Sequence, residues 1–321
     1  MERRWYRLTL LALVALLVLG GAGLSQAQDD ARERITAAYR AVQDWQSYQV
    51  QLDETSDYAM TAQGPQVATW QRRERDLALS GTYDVAEREH ARIVLDLSSR
   101  VSGSTEEGGT QTPTSWEVDL SVARANDEVF WQGRLDAEPA EDFALPESWA
   151  PFASADASEV PALADLTLSR YLLEDDIDPF LVDAEAWLAA AESIEGPSAF
   201  DVSRTTTGDL YVVTLSPADV PELFEGRFPA LTEGQNALVE REALLAGLAE
   251  TGTVTWGVAL DPESSALLAQ FIQIDAEAEL GGSLLQSPYG TMSLAFRSDQ
   301  SIVFSSIDEP VALPDDLPQQ P

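Results

Sequence analysis

A β-strand that buries one side and wets the other alternates apolar and polar residues with a period of two, and this period constrains the present chain more than any other feature. Between Ser115 and Leu135 it is plainest. Trp116, Val118, Leu120 and Val122 alternate with Glu117, Asp119, Ser121 and Ala123, Asn126 and Asp127 supply turn chemistry, and Val129 and Trp131 resume the alternation. The pattern predicts a β-hairpin with an apolar inner face and an acidic outer one. Tyr48, Val50 and Leu52 alternate in the same way with Gln49, Gln51 and Asp53. Ala91, Ile93, Leu95 and Leu97 oppose Arg88, His90, Arg92 and Asp96, which puts the single histidine on a polar side. Further strands are expected at Phe200 to Arg204, Leu210 to Leu215, and at Val254, Trp256, Val258 and Leu260. The turn Asp261-Pro262-Glu263-Ser264 then reverses the chain into Leu267 to Ile274. Ser283 to Phe296, with Met292, Leu294 and Phe296 on one side, and Ile302 to Ile307 complete the set. Ser102 to Pro113, rich in Gly, Ser, Thr and Glu, reads as a loop.

Helical spacing occurs in three places. Asp30 as N-cap with Glu33 for a capping box precedes Ile35, Tyr39, Val42 and Trp45 on one face, so a helix is expected over Asp30 to Trp45. Asp178-Pro179 opens a second, with Phe180, Leu181, Ala184, Trp187, Leu188 and Ala191 as its apolar side and Gly196 as its stop. Gln235 to Ala249 reads as a third, carrying Leu238, Leu245 and Leu248, after a short helical turn from Ser216-Pro217 to Phe224. Ala137 to Ala164 has little periodicity, yet Phe143, Trp149 and Phe152 make it too apolar for a free tether. It reads as a loop laid over the body.

Charge and composition close many functional classes. With 55 acidic residues against 19 basic ones the net charge is −36, which repels nucleic-acid phosphates and anionic lipid headgroups. No cysteine and no lysine occurs. That removes disulfides, thiolate nucleophiles, Cys-ligated metals, Schiff-base cofactors and a phosphate-loop lysine. Residues 1–27 read as an export signal: Arg3, Arg4 and Arg7, then the apolar Leu8 to Leu19, then the small-x-small site Ser25-Gln26-Ala27. An uncleaved signal anchor is the alternative. Residues 28–314 are expected to form a single domain and 315–321 a Pro-rich tail. The expected location is periplasmic or extracellular, in soluble form and without a Cys-linked lipid.

No catalytic constellation emerges. A Ser/His/Asp hydrolase would depend on His90, and no G-x-S-x-G elbow occurs. Glu174, Asp175, Asp176 and Asp178 invite a calcium reading, but they lack the glycine and spacing of an EF-hand and read better as a solvated run leading into a helix. Arg72, Arg73 and Arg75, beside Glu74 and Asp76, form a basic cluster. Its expected role is the solvent face of a strand paired with acidic neighbours, with an anion-binding patch as the rival. No metal and no cofactor is expected.

The arrangement of two helices, each leading a run of antiparallel strands, the hairpin at Asp261 to Ser264, and the closing Asp308-Glu309-Pro310-Val311 before Pro314 resembles the LolA and LppX/LprG group of exported lipid-handling proteins. The resemblance implies an α+β, mainly antiparallel β fold, a strongly curved half-barrel sheet wrapping amphipathic helices around an apolar cavity. Mycobacterial-type members of that group carry an N-terminal lipid-anchoring cysteine, which this chain lacks. An independent argument points the same way. Successive one-sided strands must be covered by helices or filled by ligand, and three short helices leave room for a pocket on the order of 300 to 1,000 Å³.

The resulting expectation is an exported, non-catalytic, monomeric carrier of a lipid or other hydrophobic small molecule, working with a membrane-bound donor or acceptor protein and not with nucleic acid. The candidate lining is Tyr39, Val42, Tyr48, Val50, Trp116, Val118, Leu120, Trp131, Trp256, Val258, Met292, Leu294 and Phe296. Inward-facing tryptophans such as Trp116, Trp131 and Trp256 are more often ordinary core than ligand contacts, and they are named as lining because the implied fold has a cavity. The alternatives are an extracytoplasmic interaction or sensor module with a filled core, and a secreted hydrolase dependent on His90.

Overall fold

The computed structural model describes residues 24–63, 68–86, 91–107, 110–125, 128–138, 144–152, 168–172, 180–215, 246–247, 249–281 and 291–317. The chain opens with α1 (Leu24–Val42) and runs through β1 (Ser47–Gln63), β2 (Ala68–Asp84), β3 (Arg92–Glu107), β4 (Thr110–Ala125), β5 (Glu128–Glu138) and β6 (Ala150–Pro151). Two short helices follow, α2 (Leu168–Tyr171) and α3 (Ala184–Ala189), then β7 (Ala191–Asp201), β8 (Thr207–Leu215), β9 (Thr253–Leu260), β10 (Leu267–Gly281) and β11 (Thr291–Ser305). All eleven strands belong to one sheet in the order β6-β5-β4-β3-β2-β1-β11-β10-β9-β8-β7. Every recorded pairing is antiparallel, and the sheet is open, with β6 and β7 at its ends. The fold is thus mainly antiparallel β with few helices.

The period-two reading accounts for the register. Tyr48, Val50 and Leu52 of β1 stand opposite Tyr83, Gly81 and Leu79 of β2, and opposite Phe304 and Ile302 of β11 at the second and third of these positions. Leu79 faces Leu97, which faces Leu120, so one apolar row crosses four strands. On the other half, Tyr211, Val258 and Gln270 lie in a row, as do Val213, Trp256 and Ile272. Buried apolar side chains therefore share one face from β5 to β7, because a fixed register aligns positions of equal parity. The opposite face carries cross-strand ion pairs, Arg100 with Glu117 at 3.0 Å and Arg297 with Asp275 at 3.0 Å. It also holds a small apolar cluster of Leu210, Ala259 and Ala269 with Phe200 and Phe271.

α1 packs on β7, β9, β10 and α3, and α3 packs on β8. Ile35, Ala38, Tyr39 and Val42 bury its inner face, as the helical spacing requires. Arg34 ties it to the sheet by donating to the Tyr211 hydroxyl at 2.6 Å, Asp209 Oδ2 at 3.3 Å and Ser265 Oγ at 3.2 Å. Burial pushes the Tyr211 phenol up from its ordinary value, with Arg34 pulling against it. The short α3 has Asp183 as its N-cap, whose carboxylate accepts from the Ala186 N–H at 3.0 Å.

Four expectations need correction. α1 begins at Leu24 and not at an Asp30 cap, because the residues ahead of Asp30 tolerate the helix and nothing breaks it; it ends at Val42, before Trp45. Ser102 to Pro113 is not one long loop: β3 runs to Glu107 and β4 starts at Thr110, since backbone pairing of β3 with β2 and of β4 with β3 carries these Ser and Thr residues as strand despite their polarity. Gly196 stops no helix. It lies inside β7 at a positive φ of 118°, at an irregular step in the pairing with β8, where a Cβ would meet the Leu210 carbonyl at 2.5 Å. The two strands expected at Ser283 to Phe296 and Ile302 to Ile307 are not separate: β11 (Thr291–Ser305) runs continuously through the polar stretch Arg297 to Ser301, while residues 283–290 lie outside the described residues.

The signal segment up to Gly23, the turn residues Asn126 and Asp127, His90, the acidic run from Glu174 to Asp178, and Ser216 to Phe224 lie outside the described residues, as does most of the third helix. Among the described residues no helix is long and apolar enough to cross a membrane.

Candidate functional site

The residues singled out by alternation come together. Tyr39, Val42, Tyr48, Val50, Val118, Leu120, Trp131, Trp256, Val258, Leu294 and Phe296 join one buried cluster, and Trp116 packs against it half-buried. Met292 is on β11 opposite Ala62, and its side chain lies outside the described residues.

Over β1, β2 and β9 this face is packed with rings. Tyr39 meets Trp256 edge-on at 5.5 Å, Trp187 of α3 meets Trp256 at 5.4 Å, and Tyr48 stacks on Tyr83 at 5.3 Å with an interplanar angle of 12°. Phe180 adds an edge contact to Tyr83 at 5.2 Å. Such geometries add to the area term of burial. Tyr83, Phe180 and Trp187 were not among the expected lining residues. Phe180 and Trp187 both lay on the apolar side of the expected second helix, but neither periodicity nor composition assigns Tyr83 to this cluster.

One polar residue sits fully within it. Gln270 follows the parity of Ile272 and Ile274 and is 0% exposed. Its Oε1 accepts from the Tyr39 hydroxyl at 2.6 Å, and its Nε2 donates to the Phe180 carbonyl. A buried amide without such partners would be costly, so this pairing fixes how α1 and the segment before α3 sit on β10.

Towards the far ends of β1 and β11 the same face changes character. Tyr58, Met60, Leu294 and Phe296 are buried beside two arginines of β2. Strand alternation splits the basic cluster. Arg72 points to the polar face and pairs with Asp57 at 3.1 Å and Glu74 at 2.6 Å, as a solvated strand face should. Arg75 shares the parity of Leu77 and Leu79 and is buried, and the Arg73 guanidinium lies over the Trp116 ring at 5.1 Å. The expectation of a wholly solvent-facing cluster thus holds for Arg72 and fails for Arg75, because consecutive strand residues face opposite ways.

The described residues also outline a groove of about 710 Å³ on the opposite, polar face, running across β1 to β5. Its polar lining includes Asp53, Ser80, Asp96, Asp119, Arg134 and Glu147, and Ser121 donates to Asp96 at 2.6 Å. Among the described residues no group of three or more His, Asp or Glu side chains could hold a metal ion.

No protein-family model and no curated protein matches the chain. Among solved structures it is similar to a beta-barrel-like protein of the domain of unknown function DUF1849 from Brucella abortus, with 9% identity and a TM-score of 0.20 over 79% of this chain and 98% of that one. It is also similar to the translocator domain of the autotransporter NalP from Neisseria meningitidis, with 11% identity and a TM-score of 0.17 over 87% of this chain and 96% of that one. Likenesses this slight carry no argument about function, and the site has to be read from its own residues.

Proposed function

We propose that this protein is an exported, non-catalytic carrier that binds a lipid or other hydrophobic ligand against the apolar face of its sheet. In this reading the open sheet is a half-barrel of the LolA and LppX/LprG kind. A single observation carries it: buried apolar residues line one face of ten successive strands, while α1 and α3 lie against β7 to β10. That face extends well beyond the strands α1 and α3 lie against, and an acyl chain laid on it would contribute about 0.8 kcal/mol per buried methylene. Binding and release by burial alone requires no reacting group. Native mass spectrometry after exposure to separate lipid classes should show a bound adduct. An unliganded mass with every class would refute the reading.

A second reading, an extracytoplasmic interaction module with a filled core, draws support from the ring packing of Tyr39, Tyr48, Tyr83, Phe180, Trp187 and Trp256. The two separate in a quenching experiment. Acyl chains brominated along their length should quench tryptophan emission in a carrier and leave a filled module unchanged.

A further inference from the structure

We infer that the apolar face contains a receptor for the anionic head of an amphiphile, formed by Arg75 with Ser99 and Trp116. This rests on the carrier reading and adds the chemical class of the ligand. The three residues sit on adjacent strands and one face. Arg75 stands opposite Val101, Val101 opposite Trp116, and Ser99 lies one step along the same face, opposite Leu77. Arg75 and Trp116 are thus two strands apart, about 10 Å, on either side of Val101.

Each has a buried polar atom with nothing to bond. Arg75 is 9% exposed and its Nε reaches no acceptor among the described residues; Ser99 is 1% exposed and its Oγ is unpartnered; so is the Trp116 indole N–H. All three groups can donate. A guanidinium cannot shed its proton to escape burial, so it calls for a counter-charge more strongly than a lysine would. The nearest carboxylate in register on this face, Glu54, is turned to Gln300, whose Nε2 donates to it at 3.5 Å, and forms no ion pair with Arg75. Three unpartnered groups able to donate, on adjacent strands of one face with a guanidinium among them, favour an oxyanion, a carboxylate or a phosphate. The surrounding Tyr58, Leu77 and Val118 are buried and apolar, which suits the chain that follows such a head.

The test compares dodecanoate, dodecyl phosphate, dodecanol and dodecyltrimethylammonium by calorimetric titration of the intact protein. Wild type should bind one or both anions about 10-fold to 100-fold more tightly than dodecanol, and the cation more weakly still. Whichever anion binds better identifies the head group as carboxylate or phosphate. In Arg75→Met the preference should fall to within about 3-fold while dodecanol affinity is kept, and the unliganded variant should melt no lower than wild type, since a buried N–H without an acceptor has been replaced by an apolar chain. Trp116→Phe, which removes only the N–H donor and keeps the ring, should lower the anion preference by a smaller factor. Equal binding of dodecanoate, dodecyl phosphate and dodecanol by wild type overturns the inference and leaves a carrier without head-group selectivity. A preference that survives Arg75→Met overturns the assignment to this residue. Failure to bind any of the four removes both the inference and the carrier reading.

Discussion

Replacing Tyr39 by Phe deletes a single oxygen, and the structure defines what that oxygen does. The Tyr39 hydroxyl donates at 2.6 Å to Oε1 of Gln270, a side chain that is 0% exposed, so water cannot take over the bond when it is lost. An unsatisfied buried acceptor costs about 1 to 3 kcal/mol. For a chain of this size that corresponds to a fall in melting temperature of roughly 2 to 10 °C. Gln270→Met keeps the length and volume of the side chain but leaves the Tyr39 hydroxyl and the Phe180 carbonyl without their partner, so it should also destabilise. The double variant should be more stable than the sum of the two single losses predicts, by about 1 kcal/mol, because the two changes remove the same bond. Thermal unfolding can be followed by tryptophan emission, since the Trp256 ring lies 5.5 Å from that of Tyr39. A Tyr39→Phe protein melting within about 1 °C of wild type, or strictly additive losses, would refute the claim that this bond positions α1 on the sheet.

Two further outcomes test the hairpins and the packing on β10. Asp261 Oδ1 accepts from the Ser264 N–H at 2.7 Å, the Ser264 hydroxyl at 2.8 Å and the Glu263 N–H at 3.0 Å, and these bonds, led by the Ser264 backbone, hold the carboxyl below its ordinary value. A depressed folded-state pKa means the turn's contribution is present above the ordinary carboxylate range and is lost as pH falls through the lower, folded value. A carbon-13 titration placing Asp261 at or above an unfolded aspartate would contradict this. Gly247 lies against β10 so closely that a Cβ would sit 2.1 Å from the Glu277 carbonyl oxygen and 2.7 Å from the Ala278 Cβ. Gly247→Ala should therefore cost about 1 to 3 kcal/mol, read as a lower urea midpoint, and an unchanged midpoint would show that the contact is not made.

Period two was enough to find most of the sheet. Trp116 to Val122, Tyr48 to Leu52 and Val254 to Leu260 each name their own buried face, and the register then lines those faces up. Local sequence fell short where pairing, not side-chain polarity, holds a strand. Thr105 faces Gln71 and Thr112, and Gln300 faces Glu54, each as a polar residue carried along by its neighbours' hydrogen bonds. The Arg72, Arg73 and Arg75 cluster shows the same limit from the other side. Alternation already separates Arg72 from Arg75, but an arginine on the apolar parity reads as an exception until its burial is known.

The chain by itself therefore determined most of the strands, the parity of each of those, and the exclusion of cysteine and lysine chemistry, because these follow from the residues in each short stretch. Tertiary structure alone decided that β11 joins β1, that Gln270 is satisfied by Tyr39 and Phe180, and that Arg75, Ser99 and Trp116 share one buried patch. Those are contacts between residues far apart in sequence, and no local pattern encodes which distant partner a donor will meet, or whether it will meet one at all.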